Sequence, residues 1–184
     1  MEDGKVILDK GKFNLTLERL SHQLIENHGD FENTCLIGIQ EKGVLLASRL
    51  AKIIKKNNRK AKFEYGKLDI TFYRDDFRRR TKPLSPSNTE IDFLIEGKNV
   101  ILFDDVLYTG RTIQAALTAI GDFGRPNQVE LVTLVNRRFN RHLPIMADYT
   151  GINVDALDEA YVRVEWMEEE KEDRILLFAG KDKN

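Results

Sequence analysis

The chain has 184 residues, enough for one domain with a sizeable core plus an appendage and short for two full domains. Its 29 Lys and Arg against 30 Asp and Glu give a net charge of -1, which excludes a global positive excess, so any RNA site must be a local patch. Hydrophobic residues at 41% and charged residues at 32% exclude a wholly disordered chain, and the single cysteine, Cys35 in TCLIGI, excludes an internal disulfide.

The opening MEDGKVILDKGKF has no cationic segment followed by a long apolar one. No uncharged apolar run approaches the ~20 residues that span a bilayer, so secretion and membrane insertion are disfavoured and a reducing cytoplasm is expected. Residues 5–8 form a short predicted strand. Phe13, Leu17, Leu20 and Leu24 then recur at helical spacing, with Arg19, His22 and Glu26 on another face. Residues 34–39 are an apolar strand stopped by Gly38 and Gly43, and VLLASRLAKIIKK after them repeats with helical period.

From Lys62 the pattern alternates. Phe63 and Tyr65, then Leu68, Ile70 and Phe72, predict one long, half-exposed strand with a bulge at Gly66 between two registers. RDDFRRRTKPLSPSNTE is too polar to pack and is expected to be a mobile loop. Residues 99–103 predict a buried strand, 111–123 a helix, GRPNQ a turn and 129–135 another strand, together a parallel crossover unit. In the tail, VDALDEAYVRVEWMEEEKEDRILLFAG predicts a hairpin whose acidic EWMEEEKED is a solvated turn.

The chemistry concentrates in NVILFDDVLYTGRTIQAAL. An apolar run ends in Asp104 and Asp105, and in a parallel sheet ligands sit beyond the carboxyl ends of the strands. Thr109, Gly110, Arg111 and Thr112 open a helix with free backbone N–H groups, two hydroxyls and a favourable dipole, the makings of a phosphate cradle. The carboxylates can accept hydrogen bonds from sugar hydroxyls or hold Mg2+ through water, so the two halves point to a phosphorylated ribose.

FDDVLYTGRT resembles the phosphoribosyl pyrophosphate (PRPP) motif of type I phosphoribosyltransferases, and LDITFYRDDF and VNRRFNRHLPIMADY resemble the PyrR family, pyrimidine-operon attenuators that are also uracil phosphoribosyltransferases. The resemblance implies one α/β phosphoribosyltransferase domain over residues 1–184: a mostly parallel central sheet flanked by helices, a small hood from the N-terminal segment and C-terminal hairpin, and a flexible loop over residues 74–90. Asp104 and Asp105 would engage the ribose hydroxyls, with Arg74 as a further catalytic residue. Val106, Leu107, Tyr108, Thr109, Gly110, Arg111 and Thr112 would wrap the 5'-phosphate. Gln40, Glu41, Lys42 and Gly43 would form the pyrophosphate loop, and Tyr108, Val135, Asn136 and Arg137 the base site. Basic groups in reach of the leaving group would be Lys42, Arg74 and those of residues 78–82.

The implied reaction joins uracil and PRPP to give UMP and pyrophosphate, with Mg2+ bound through PRPP and near Asp104 and Asp105, not held directly by the protein. Purine enzymes of the superfamily carry an acid where this chain has Tyr108, which disfavours a purine. The alternatives are a regulator or nucleotide sensor responding to UMP or UTP with little turnover, or transfer to another nucleobase. Arg19, His22, Arg138 and Arg141 are the candidate contacts to leader mRNA, and homodimers or homotetramers are implied.

Two departures stand out. The pyrophosphate loop has Glu41 and Lys42 where bifunctional members commonly have Thr and Arg, and the second RNA segment carries Asn136, Phe139 and one additional residue. His22, His28 and His142 fit no metal-ligand pattern, so no tightly held protein metal is expected.

Overall fold

The computed structural model describes residues 4–74, 88–156 and 160–179. Strand β1 (Lys5–Leu8) leads into helix α1 (Lys10–His28), whose start is fixed by the Asp9 side chain accepting from the Lys12 N–H at 2.9 Å. Gly29, in left-handed conformation at φ 54°, ends it. The apolar stripe lies where periodicity puts it: Phe13, Leu17, Leu20 and Leu24 are all buried.

Strand β2 (Thr34–Ile39) is buried along its whole length and runs through a short loop into helix α2 (Lys42–Asn57). Strand β3 (Phe63–Leu68) pairs parallel to β2 without a bulge, Gly66 standing opposite Ile37. There is no room beside Gly66 for a side chain, since an added Cβ would lie 3.1 Å from the Glu90 carbonyl oxygen. The glycine marks close approach of backbone, not an extra residue.

The predicted long strand stops at Leu68. The Asp69 carboxylate accepts from the Thr71 N–H at 2.8 Å and from its hydroxyl at 2.5 Å, and this local turn outcompetes a ladder and delivers the chain into a 3-10 turn over Thr71–Tyr73. The turn sends Ile70 into the core and leaves Phe72 exposed. Most of the loop expected over residues 74–90 lies outside the described residues.

Strand β4 (Asn99–Leu107) is longer than its apolar run, because it carries both aspartates within the ladder: Asp104 faces Thr133 and Val106 faces Val135 on strand β5 (Gln128–Arg137). Helix α3 (Arg111–Ile120) connects the two, ending in a 3-10 turn over Gly121–Phe123, so the expected helix over 111–123 tightens in its last turn. Strand β6 (Tyr149–Val154) completes the sheet. Its six residues, YTGINV, are β-prone but short and broken by glycine, and the sequence reading passes over them.

The central sheet has five strands, all parallel, in the order β3-β2-β4-β5-β6. Alternate residues of the same strands feed two cores. Leu36, Ile101 and Phe103 pack with α1 and α2 on one face, while Cys35, Ile37 and Leu102 pack with α3 on the other. Burial pushes the Cys35 thiol up to about 11, so it stays protonated and packs as an apolar residue.

A second, three-stranded antiparallel sheet joins β1 to β8 (Arg174–Phe178) and β8 to β7 (Tyr161–Glu165). This hood, built from the two ends of the described chain, packs Val164, Trp166 and Ile175 into the α1/α2 core. The EWMEEEKED turn is more ordered than a solvated linker. It forms a short helix, α4 (Met167–Glu170), because Arg49 on α2 binds Glu168 with two bonds of 3.0 and 2.5 Å, binds the buried Asp173 at 2.7 Å, and lies over the Trp166 ring.

Gly151 lets β6 approach β5 so closely that an added Cβ would lie 2.3 Å from the Leu134 carbonyl oxygen. Gly151→Ala is therefore expected to cost about 1–3 kcal/mol by overpacking, read as a fall in Tm of several degrees with the circular dichroism spectrum retained.

Candidate active site

The strand order reverses between β2 and β4, and this switch point opens a crevice beyond their carboxyl ends. Both loops that the sequence marks as anion-binding emerge there. From β2 come Gln40, Glu41, Lys42 and Gly43, leading into α2. From β4 come Asp104 and Asp105, then Val106 and Leu107 in the strand, the turn Tyr108, Thr109 and Gly110, and Arg111 and Thr112 opening α3.

The two loops touch. An added Cβ at Gly43 would lie 2.3 Å from the Phe103 carbonyl oxygen and 3.2 Å from the Asp104 Cα, so only glycine lets α2 begin against the end of β4. Gln40 is tied back by its N–H to the Leu68 carbonyl at 2.9 Å and by its side chain to the Asn88 carbonyl at 2.7 Å, and its peptide bond to Glu41 is cis. Glu41 is exposed and makes no side-chain cap to α2, so its carboxylate is not turned into the helix end.

Asp104 is buried, with one carboxylate oxygen accepting from the Asp105 N–H at 3.1 Å. Burial first, and the neighbouring Asp105 charge second, raise its pKa well above the usual carboxylate range, while Arg74 works in the opposite direction. Burial likewise lifts Asp105 to about 6, moderated by the Lys42 ammonium. Two desolvated acids side by side, opposed by two flexible cations, form a place where ligand hydroxyls can replace lost water.

The turn after them runs directly into the N-terminus of α3. Gly110 adopts φ 91°, which favours glycine, and aims the first N–H groups of α3 at the crevice. The Arg111 N–H meets the Thr109 hydroxyl at 3.4 Å. From behind, residues of the following crossover brace the turn: the N–H groups of His142 and Leu143 donate to the Thr109 carbonyl at 3.0 and 3.2 Å, and Arg111 reaches the His142 ring.

Tyr108, Asn136 and Arg137 come together beside this turn. The Arg137 guanidinium lies 3.8 Å from the Tyr108 ring centroid and donates to the Ala160 carbonyl at 2.8 Å, while its buried Nε has no hydrogen-bond partner among the described residues. Asn136 accepts from Arg141 at 2.6 Å and donates to Asn153 at 3.0 Å, and Val135 is buried beneath.

The candidate RNA residues are partly engaged within the fold. The Arg19 guanidinium binds the Thr150 and Gly151 carbonyls of β6, His22 is exposed on α1, and Arg138 forms a two-bond pair with Asp155 at 2.6 and 2.5 Å. Arg141 donates to the Tyr108 carbonyl as well as to Asn136, so it braces the turn before α3.

Sequence reasoning missed three participants. Thr133 on β5 supplies its hydroxyl to the Leu107 N–H at 3.2 Å, a role no motif announces. Val164 and Glu170 of the hood bind the Lys42 ammonium at 2.6 and 3.4 Å, and a charge run opposite a lone lysine far away in sequence gave the only signal.

Asp105 ionises at about 6 when folded against 3.8 ordinarily, so the folded chain holds the extra proton between those values. The contribution of Asp105 to stability is greatest below about pH 4, falls as pH rises through about 6, and stays lower above it. Asp105→Asn is expected to raise stability by on the order of 2 kcal/mol at pH 8 and to change it little near pH 4, measured as Tm at the two pH values.

Comparison with known proteins matches this geometry. The phosphoribosyl transferase domain family matches residues 4–169. The chain is 41% identical over 180 residues to the "Bifunctional protein PyrR" of Bacillus mycoides (strain KBAB4), covering 97% of this chain and 99% of that protein, and equally to that of Bacillus anthracis (strain CDC 684 / NRRL 3495). Among solved structures, the hypoxanthine phosphoribosyltransferase of Trypanosoma cruzi superposes with a TM-score of 0.72 at 16% identity, covering 96% of this chain and 97% of that one. A hypoxanthine phosphoribosyltransferase of Staphylococcus aureus gives 0.68 at 20% identity, covering 97% and 93%; at such identities the likeness speaks for the fold alone. With the acid pair and glycine turn at the switch point and nearly full-length identity of this order, the chain belongs to the phosphoribosyl transferase family and, within it, to the PyrR family.

Proposed function

We propose that the chain is a uracil phosphoribosyltransferase that forms UMP and pyrophosphate from uracil and PRPP. The observation that carries this reading is the pairing, at one switch point, of the buried Asp104–Asp105 step with the Gly110 turn at the head of α3. The carboxylates accept from the ribose hydroxyls and face the positive charge that develops at C1. The turn holds the 5'-phosphate by backbone N–H groups and the hydroxyls of Thr109 and Thr112.

In the reaction, N1 of the base forms a bond to ribose C1 while the C1–O bond to pyrophosphate breaks. Pyrophosphate takes the electron pair, and the N1 proton is released. No protein nucleophile is needed; orientation of the two reactants supplies much of the acceleration. Arg74 acts on Asp104 and Lys42 on Asp105, and each lowers the cost of ionisation.

Mg2+ suits this donor set. Two adjacent carboxylates are hard oxygen ligands, and among the described residues no group of three or more His, Cys, Asp or Glu stands ready to cage an ion, so the metal would arrive on PRPP and reach Asp104 and Asp105 through water. Bound there, it would supply charge neutralisation for the departing pyrophosphate.

Tyr108 supports a pyrimidine over a purine. Its side chain, an aromatic ring stacked on Arg137, stands where purine-specific members carry an acid, and the base edge is left to Val135, Asn136 and Arg137. A protein of this kind works in the cytoplasm, and no helix among the described residues is long and apolar enough to cross a membrane. Purified protein with Mg2+, PRPP and a panel of uracil, orotate, guanine and hypoxanthine is expected to yield UMP alone. Formation of another nucleotide in its place overturns the assignment. Asp104→Asn and Asp105→Asn are each expected to lower kcat/KM by about a hundredfold or more with the fold retained.

The nearly full-length identity to proteins named bifunctional supports a second activity, nucleotide-responsive binding of leader mRNA. His22 and the outer face of α1 are the surface available for it. Affinity for a cognate leader is expected to exceed that for a scrambled RNA and to rise with UMP. Equal affinities that decay together with salt would reduce it to general phosphate attraction.

A further inference from the structure

Lys42 is the first residue of α2, a poor position for a cation, because the helix N-terminus is itself positive and no acid occupies the first turn. An anion belongs there, and in the reading above that anion is pyrophosphate. In the structure the ammonium is held instead by the hood: the Val164 carbonyl on β7 accepts from it at 2.6 Å and the Glu170 carboxylate at 3.4 Å. Glu170 is itself fixed. Its other oxygen accepts from the Trp166 N–H at 2.9 Å, and Arg163 approaches at 3.9 Å. The Lys42–Glu170 pair is about three-quarters shielded from solvent, so screening does not erase it.

We propose that Glu170 is a positioning residue for the pyrophosphate loop: together with the Val164 carbonyl it stores the Lys42 ammonium on the hood in competition with the leaving pyrophosphate, so that the hood limits how tightly the product is gripped. The inference rests on the reading of residues 40–43 as the pyrophosphate loop and adds to it the partner that opposes it. The acid is in the right place for this. It holds Lys42 next to Gly43, whose backbone packs against Phe103 and Asp104, so α4 stands beside the crevice that would receive the ligand. A bound pyrophosphate would offer Lys42 a stronger partner than one carboxylate, and Glu170 would then keep only Arg163 at 3.9 Å while facing a polyanion. The second effect favours release and opposes the first, so Glu170 sets how tightly the product is held.

The test is calorimetric titration of Mg2+-pyrophosphate and of Mg2+-PRPP into the full chain, its Glu170→Gln and Lys42→Met variants, and the double variant. Glutamine keeps an acceptor for Trp166 and removes only the charge. Glu170→Gln is expected to bind pyrophosphate about fivefold tighter, with stronger product inhibition and a lower kcat where release limits turnover. Lys42→Met is expected to bind about tenfold weaker, and adding Glu170→Gln to it should change nothing beyond twofold. A merely structural Glu170 would shift Tm without this dependence on Lys42. Unchanged pyrophosphate affinity in Glu170→Gln, or a gain that persists in the Lys42→Met background, overturns the proposal while leaving the site intact. Failure of the parent chain to bind either Mg2+ complex overturns the site reading itself, and with it this one.

Discussion

Asp104 and Asp105 ride on the second half of β4, where burial opposes the ionisation of both and the Asp105 charge adds to the cost for Asp104. A strand tolerates such a pair only if the ladder around it is otherwise complete and if compensating charge is near. The first condition is met on one side by β5, which pairs Thr133 with Asp104 and Val135 with Val106, and by the Thr133 hydroxyl, which takes the Leu107 N–H just beyond the acids, while the β2 ladder ends at Phe103. The second is met by Lys42 at the head of α2 and by Arg74 just after the Thr71–Tyr73 turn. The acids therefore cost the unliganded chain stability, and a polyhydroxylated ligand would return it.

That constraint explains the glycines at the two loop junctions. Gly43 brings the positive end of α2 against the acid-bearing end of β4, and Gly110 turns the chain so that α3 begins immediately after the strand. Two helix N-termini thus converge on one crevice beside two carboxylates, a balance of partial positive and full negative charge. The balance suits a ligand with phosphates at its ends and a diol in the middle.

Much of this was legible in the sequence because it is local. The periodic stripe of α1, the buried run of β2 and the string FDDVLYTGRT each carry their meaning within a short window. What was not legible depends on partners distant in the chain. Ile70 and Phe72 alternate like a strand, yet the Asp69 side chain closes a turn on Thr71 and ends β3 early. YTGINV became a strand because β5 offered an open edge and Gly151 let it approach. The acidic EWMEEEKED looked solvated, since no nearby residue reveals that Arg49 and Lys42 on α2 would meet it.

The crossover after β5 shows the same long-range logic in the charged residues. A basic run such as NRRFNRHLP looks like a patch for an anionic polymer, and Arg138 does remain at the surface, held in a pair with Asp155. Its neighbours are used differently. Arg137 is buried beneath Tyr108, and Arg141 ties the Tyr108 carbonyl to Asn136, so one face of the run forms the wall of the phosphate turn. Guanidinium groups with several donors in a fixed plane can do this where an ammonium could not, because one group satisfies two acceptors on different strands at once. The segment therefore ties the Tyr108 turn to β5 and, through the chain, to Arg138 at the surface.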